Sequence, residues 1–327
     1  HPRSIRLIPS MKYIFGPVSS RRLGKSLGID PIPLKTCNWN CIYCQLGRTA
    51  PMALERSEFC PREELLEEFS QTINSLEPAG IDWITFVGSG EPTLHSSLGW
   101  MIDRIKQMTD LPVAVITNGS LLFLPEVRDE LCAADAVLPT LDAGNDWLFR
   151  RINRPAPRFS FDKQVEGLQK FRQVFSGKLW IEVMLVQGMN DGTAALEQLA
   201  SILESIMPDQ VHITLPLRPP AEAWVRPSSL AEQTRAKEIL GRVLPVVIPD
   251  SSQTLVARMG DLKETIVSVI TRHPMKEEEL ALLLSRWSYE EIKTALAELL
   301  SKKQVQFIHQ DEHTFWSAAK SKFPGRQ

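Results

Sequence analysis

Short runs of apolar and β-branched residues alternate along this chain with longer stretches whose apolar positions recur every three or four residues. The runs at 26–32, 83–87, 113–117, 136–141, 179–186 and 211–215 are expected strands, and the patterns near 61–76, 96–108, 125–133, 161–175, 193–206 and 229–241 expected helices. Regular strand–helix alternation implies crossover connections and a parallel sheet. Six such units are too few to close an eight-stranded barrel. The expected fold is therefore α/β, a partial (β/α)6 TIM-like barrel, with a doubly wound open sheet as the alternative. Either way, functional groups should gather where strands end and loops begin.

The pattern changes after about residue 255. Three helical stretches at 261–272, 276–285 and 289–302 precede two short alternating runs at 304–308 and 314–317, turning around Asp311. Three helices and a hairpin make a winged-helix pattern. Pro219, Pro220, Pro227 and Pro249 punctuate the approach to it. The expected division is 1–250 for the barrel with its N-terminal extension and 258–327 for the winged-helix-like domain.

Composition narrows the class. Of 327 residues, 43% are hydrophobic and 23% charged, the balance of a globular protein. No apolar stretch is long enough to span a bilayer and no apolar leader is visible, so a cytoplasmic protein without membrane association is expected. The formal net charge of −2 is unevenly spread: residues 1–60 hold nine Lys or Arg against three acids. Such a surface attracts anionic ligands, although a solvated basic face explains any single residue equally well.

Five cysteines, an odd number with three tightly clustered, argue against a disulfide framework. Cys60 and Cys132 stand alone, as small apolar core residues do. Cys37, Cys41 and Cys44 are spaced CxxxCxxC in the loop after the first strand. Three thiolates at that spacing can hold one corner of an iron–sulfur cubane and leave its fourth iron open to a chelating ligand. A structural zinc site, which takes four ligands, is the competing reading. One strand downstream, Gly88-Ser89-Gly90-Glu91-Pro92 follows the run at 83–87. Glycines there allow the backbone to approach a ligand closely.

With both segments in view, the chain resembles the radical S-adenosylmethionine (SAM) superfamily, through the cysteine motif with an aromatic before its last member and a GGEP-like segment. The resemblance implies a [4Fe–4S] cluster on Cys37, Cys41 and Cys44 and SAM as the second cofactor. It places Tyr43 against the adenine and Gly88, Ser89, Gly90, Glu91 and Pro92 near the methionine amino group. Thr117 and Asn118 would lie by the ribose, with Asp142 and Glu182 as further SAM-side positions. The segments 16–24, 26–30, 153–155 and 188–191 are similar to an uncharacterised Fe–S oxidoreductase branch related to the tRNA wyosine-synthesis enzymes. Those enzymes carry extra cysteines ahead of the motif, and this sequence has none before Cys37.

The implied activity is reductive cleavage of SAM to a 5′-deoxyadenosyl radical that abstracts hydrogen, driven by an external one-electron donor of flavodoxin or ferredoxin type. Arg150, Arg151, Arg154 and Arg158 in an expected loop, with Arg21 and Arg22, suggest a phosphate-bearing substrate such as tRNA; Arg21, Arg22, Arg151 and Arg154 are the candidate substrate contacts. Against duplex reading, the expected recognition helix starts Ser288-Tyr289-Glu290-Glu291, and residues 261–327 hold ten basic and ten acidic side chains. The alternative is a peptide or small metabolite, with the winged helix as a recognition or docking module. A cluster-based redox sensor is a third reading, but it would have no use for the 88–92 segment.

Overall fold

The computed structural model describes residues 12–20, 22–76, 80–248 and 261–324. One eight-stranded sheet organises most of them, in the order β1 (Ile14–Ser20), β2 (Gly24–Ile29), β3 (Trp83–Phe86), β4 (Val113–Thr117), β5 (Ala136–Pro139), β6 (Lys178–Met184), β7 (Gln210–Thr214) and β8 (Val246–Val247). β1 pairs antiparallel with β2, and every later neighbour is parallel. The strictly sequential order rules out the doubly wound alternative, whose strand order reverses at a switch point.

Helices follow the strands: α1 (Arg62–Ser75), α2 (Leu98–Met108), α3 (Pro125–Leu131), α4 (Asp146–Ile152), α5 (Phe161–Val174), α6 (Thr193–Ile206) and α7 (Leu230–Gly241). Their apolar stripes, such as Leu65 and Phe69 on α1 or Leu196, Leu199 and Leu203 on α6, join strand residues in one large buried cluster. β5 is buried at all four positions, the signature of a parallel strand covered on both faces.

A second hydrophobic cluster belongs to α8 (Leu262–Arg272), α9 (Glu277–Leu283), α10 (Tyr289–Ser301), β9 (Val305–Gln310) and β10 (His313–Ala318), around Ile266, Leu280, Ile292 and Leu296. The hairpin turns at Asp311, whose φ of 53° is left-handed, and Met275 exchanges two backbone hydrogen bonds with Trp316.

Three expectations change. The edge strand β1 escaped notice because Gly16, Pro17 and two serines mask its alternation. The strand expected over 26–32 ends at Ile29. Arg150 and Arg151, expected in a loop, lie on α4, which is nucleated by Asn145 accepting from the Leu148 amide at 2.9 Å. Seven residues are too few for a periodic signal.

Candidate active site

The loop from β2 to α1 carries all three clustered cysteines to the C-terminal ends of the parallel strands. Each sulfur faces an N–H group, and those on Cys37 and Cys41 include donors from distant segments. Cys37 Sγ lies 3.5 Å from the Trp39 amide and 3.7 Å from Asn118 Nδ2, Cys41 Sγ is 3.8 Å from Asn153 Nδ2, and Cys44 Sγ is 3.3 Å from Lys35 Nζ. Burial pushes the Cys37 thiol up to about 12 and raises Cys41 well above its ordinary value. A buried thiolate therefore needs a cationic centre beside it, and N–H donors aimed at sulfur are what an iron–sulfur cluster uses to hold its charge. Among the described residues no three His, Cys, Asp or Glu side chains gather closely enough for a single metal ion. A cubane instead takes one thiolate at each of three separate irons.

The glycine turn after β3 packs directly on this loop. A Cβ at Gly90 would collide with the Thr36 carbonyl, so only glycine fits there. Glu91 is 1% exposed, and its carboxylate accepts from Thr93 N (3.0 Å), Thr93 Oγ1 (2.6 Å), Thr117 Oγ1 (2.5 Å) and Asn118 N (2.6 Å). Burial still raises its pKa, against the pull of those hydrogen bonds. Glu91 thus ties the ends of β3 and β4 together with its own oxygens occupied. Pro92 opens a short 3-10 turn and is buried; the backbone of Gly88 and Gly90 is what faces open space.

Asp142, after β5, anchors the other side. It accepts from Tyr43 Oη at 2.5 Å, Asn153 Nδ2 at 2.7 Å and the Met184 amide at 2.8 Å. Burial lifts its carboxyl to about 6. Tyr43 is thereby pinned one residue before Cys44. Asn190, which donates to the carbonyls of Asp142 (2.8 Å) and Met184 (2.9 Å), holds the β5 and β6 ends together.

Between these walls lies a cavity of about 380 Å³, lined among others by Tyr43, Cys44, Gly88, Gly90, Met184 and Thr214. Arg22 also lines it, and pairs with the buried Glu182. Burial raises Glu182, with the Arg22 charge working the other way. Glu182 is therefore a partner for Arg22 on the β1–β2 side.

The expected arginine cluster is electrically answered. Arg154 and Arg48 both grip Glu222, at 2.6 and 2.8 Å. The Arg48 hydrogen bond, then Arg154, holds Glu222 below the usual carboxylate range. Arg158 meets Glu55 at 2.5 Å, Arg150 meets Asp146 at 2.6 Å, and Arg151 lies 4.7 Å over the Trp147 ring. Glu222 and Glu55 lie far from these arginines in sequence. Arg21 lies outside the described residues.

Sequence reasoning missed Lys35, Asn38, Asn153 and Asn190 as site residues. Asn38 accepts from Asn118 Nδ2 at 2.8 Å and donates to Ser120 Oγ at 2.7 Å, fully buried. An asparagine inside the cysteine motif and another opening the Asn-Arg-Pro segment were the available signals.

The family model for the radical SAM superfamily matches residues 32–200. A UPF0026 protein of Methanocaldococcus jannaschii is 34% identical over 280 residues, covering 84% of this chain and 87% of the relative. A Brachyspira hyodysenteriae protein described as GTPase Obg is 39% identical over 294 residues, but the chain spans only 42% of its length. Among solved structures, a radical SAM methyltransferase from Sphaerobacter thermophilus superposes with a TM-score of 0.50 at 19% identity, covering 68% of this chain and 66% of that one. A structure of TYW1 with a lysine-pyruvate adduct bound gives 0.50 at 16% identity, covering 70% and 76%. At such identities the superpositions speak to fold alone.

Proposed function

The chain belongs to the radical SAM superfamily, and from that premise we propose that it is a hydrogen-abstracting enzyme acting on a small substrate held in the 380 Å³ cavity. The superfamily makes it an enzyme that uses a [4Fe–4S] cluster and SAM. When bound and reduced, that pair supplies methionine and a 5′-deoxyadenosyl radical. Cys37, Cys41 and Cys44 would hold the cluster, with Lys35, Asn118 and Asn153 stabilising sulfur charge. Tyr43 and the backbone of Gly88 and Gly90 would line SAM; Ser89, Glu91, Pro92, Thr117 and Asp142 would hold that lining in place. Glu182 would act through Arg22.

The observation that carries the reading is the cysteine loop, with N–H groups at every sulfur, seated against the glycine turn on one cavity. A small substrate is favoured over a nucleic acid because Arg22, Arg150, Arg154 and Arg158 have carboxylate partners and Arg151 lies over an indole ring. A tRNA or other phosphate-bearing substrate is the second reading, favoured by the nine basic residues against three acids in 1–60. Within this proposal, the described residues of 1–250 form a partial (β/α)6 barrel and those of 258–327 a winged-helix-like domain; residues 1–11 and 249–260 lie outside the described residues. The electron donor would be a flavodoxin or ferredoxin, and the compartment the cytoplasm. No helix among the described residues is long and apolar enough to cross a membrane.

Anaerobically reconstituted protein with dithionite should convert SAM to 5′-deoxyadenosine; failure to do so would remove the catalytic reading. Comparing metabolites and tRNA nucleosides between a deletion strain and its parent separates the substrates. A changed nucleoside profile with unchanged metabolites would favour tRNA.

A further inference from the structure

We propose that the C-terminal module of α8–α10 and β9–β10 is a wall of the reaction cavity, and that Arg272 is the positioning residue through which it holds the glycine turn and cysteine loop in place. The inference rests on the functional reading above only for the identity of the ligand.

Arg272 ends α8, yet its guanidinium reaches the main sheet. Nε donates to Asp30 Oδ2 at 2.9 Å, across 242 residues of sequence, and the side chain is 13% exposed. Its Cζ lies 4.6 Å from the Phe15 ring centroid, and Nη1 donates to Ser268 O and Oγ, both at 3.0 Å. The guanidinium is therefore held in one orientation by a ring, a carboxylate and its own helix.

Asp30 passes that hold to the glycine turn. Its carboxylate also accepts from Ser89 N at 3.0 Å and Ser89 Oγ at 2.6 Å. The Ser89 carbonyl in turn accepts from Lys35 N at 2.6 Å, and Lys35 Nζ reaches Cys44 Sγ. One chain of bonds thus joins the module to the turn and to a cluster cysteine.

A second connection runs through the residue after Cys44. Gln45 Nε2 donates to the Arg272 carbonyl at 2.8 Å and lies 3.1 Å from His273 Nδ1. Beyond it, Gly47 has a φ of 81°, and a Cβ there would strike the Lys322 backbone. The Arg48 amide donates to the Lys322 carbonyl at 2.7 Å. The cysteine loop is accordingly clasped by the module at two places, after α8 and after β10. Arg272 and His273 line the cavity together with Tyr43, Cys44 and Gly90. Arg218, from the loop after β7, seals the seam by donating to the Pro274 carbonyl at 2.7 Å and Glu279 at 2.6 Å.

The test compares Arg272→Gln, Arg272→Lys and a control, Lys263→Gln, which breaks an ion pair to Glu298 inside the module. Hydrogen exchange on the cluster-free protein should show residues 43–47 and 88–91 exchanging about tenfold faster in Arg272→Gln, the loss of one charge-assisted bond. In reconstituted protein of equal iron content, SAM affinity should fall about tenfold, with KM raised more than kcat is lowered. Arg272→Lys should recover part of both, and Lys263→Gln should lower the melting temperature without moving either. Wild-type exchange and SAM affinity in Arg272→Gln would overturn the proposal. So would equal losses in the control, which would mark the role as stability alone. If Arg272→Gln fails to fold, Gln45→Ala, which removes the second connection, should speed exchange at 43–47; no change there would also overturn it. A wild-type protein that neither binds nor cleaves SAM would defeat the functional reading, while the exchange comparison would still decide the docking.

Discussion

At the loop end of the sheet, polar side chains find their partners far away in sequence: Asn38 and Ser120, Tyr43 and Asp142, Glu91 and Thr117. In the C-terminal module many find them within one helical turn. Ser288 and Glu291 form a reciprocal cap on α10, the Lys276 amide donates to Glu279, and Asp261 caps α8. The difference separates two ways of using polar groups. Local caps define where a helix starts and survive wherever the helix is placed. Long-range pairs exist only once several loops have met, so they form a site whose geometry depends on the whole fold. Arg272, Lys322 and Arg218 are among the places where the locally built module joins the other network.

The sharpest way to break this comparison is at the cysteines. Cys41→Ala should abolish cluster incorporation and 5′-deoxyadenosine formation while leaving the far-ultraviolet circular dichroism intact. Retained iron and activity would contradict the assignment. Next, Glu91→Ala strands four donors inside the fold, a cost on the order of 4 kcal/mol, and should lose SAM binding together with stability in a urea titration. By contrast, Leu296→Ala empties a fully packed position in the module core and should cost about 3 kcal/mol. SAM affinity of the folded protein should stay near wild type, unlike that of Glu91→Ala.

A pH titration probes the interior of the sheet. His212 stacks on Trp180 at 5.4 Å, and burial, with the Arg22 charge second, lowers its pKa to about 4; burial lowers His95 as well. The unfolded state, with an imidazole near 6.5, binds more protons than the folded state between those values. Stability is then full above about pH 6.5 and is lost as pH falls toward about 4. Replacing His212 with Gln should flatten part of that acid limb in thermal melts. Smallest of all, Ser288→Ala removes a local cap and should cost about 1 kcal/mol, with no effect on SAM affinity.

The strands, most helices and both chemical segments were legible without the structure. The six strands expected in the sheet all start within two residues of expectation, and α6 spans 193–206 as its periodicity implies. The legible features share a property: each is written in contiguous residues. Apolar period marks an element, cysteine spacing is a loop of fixed reach, and Gly-Ser-Gly-Glu-Pro is one turn. The same reading could not name the partners of the arginines, since their carboxylates, Glu222, Glu55 and Glu182, arrive from other parts of the chain. Nor could it show that Glu91 is saturated by backbone and hydroxyl donors or that Glu182 pairs with Arg22.

By itself, then, the sequence determined that three thiols and a glycine turn would meet at the ends of parallel strands, because short connections and fixed periodicity leave few other arrangements. Only the tertiary structure decided which charges pair, which carboxylates are saturated by neighbouring donors and what lines the cavity. Those depend on distances between residues as far apart as Asp30 and Arg272, which no local pattern encodes.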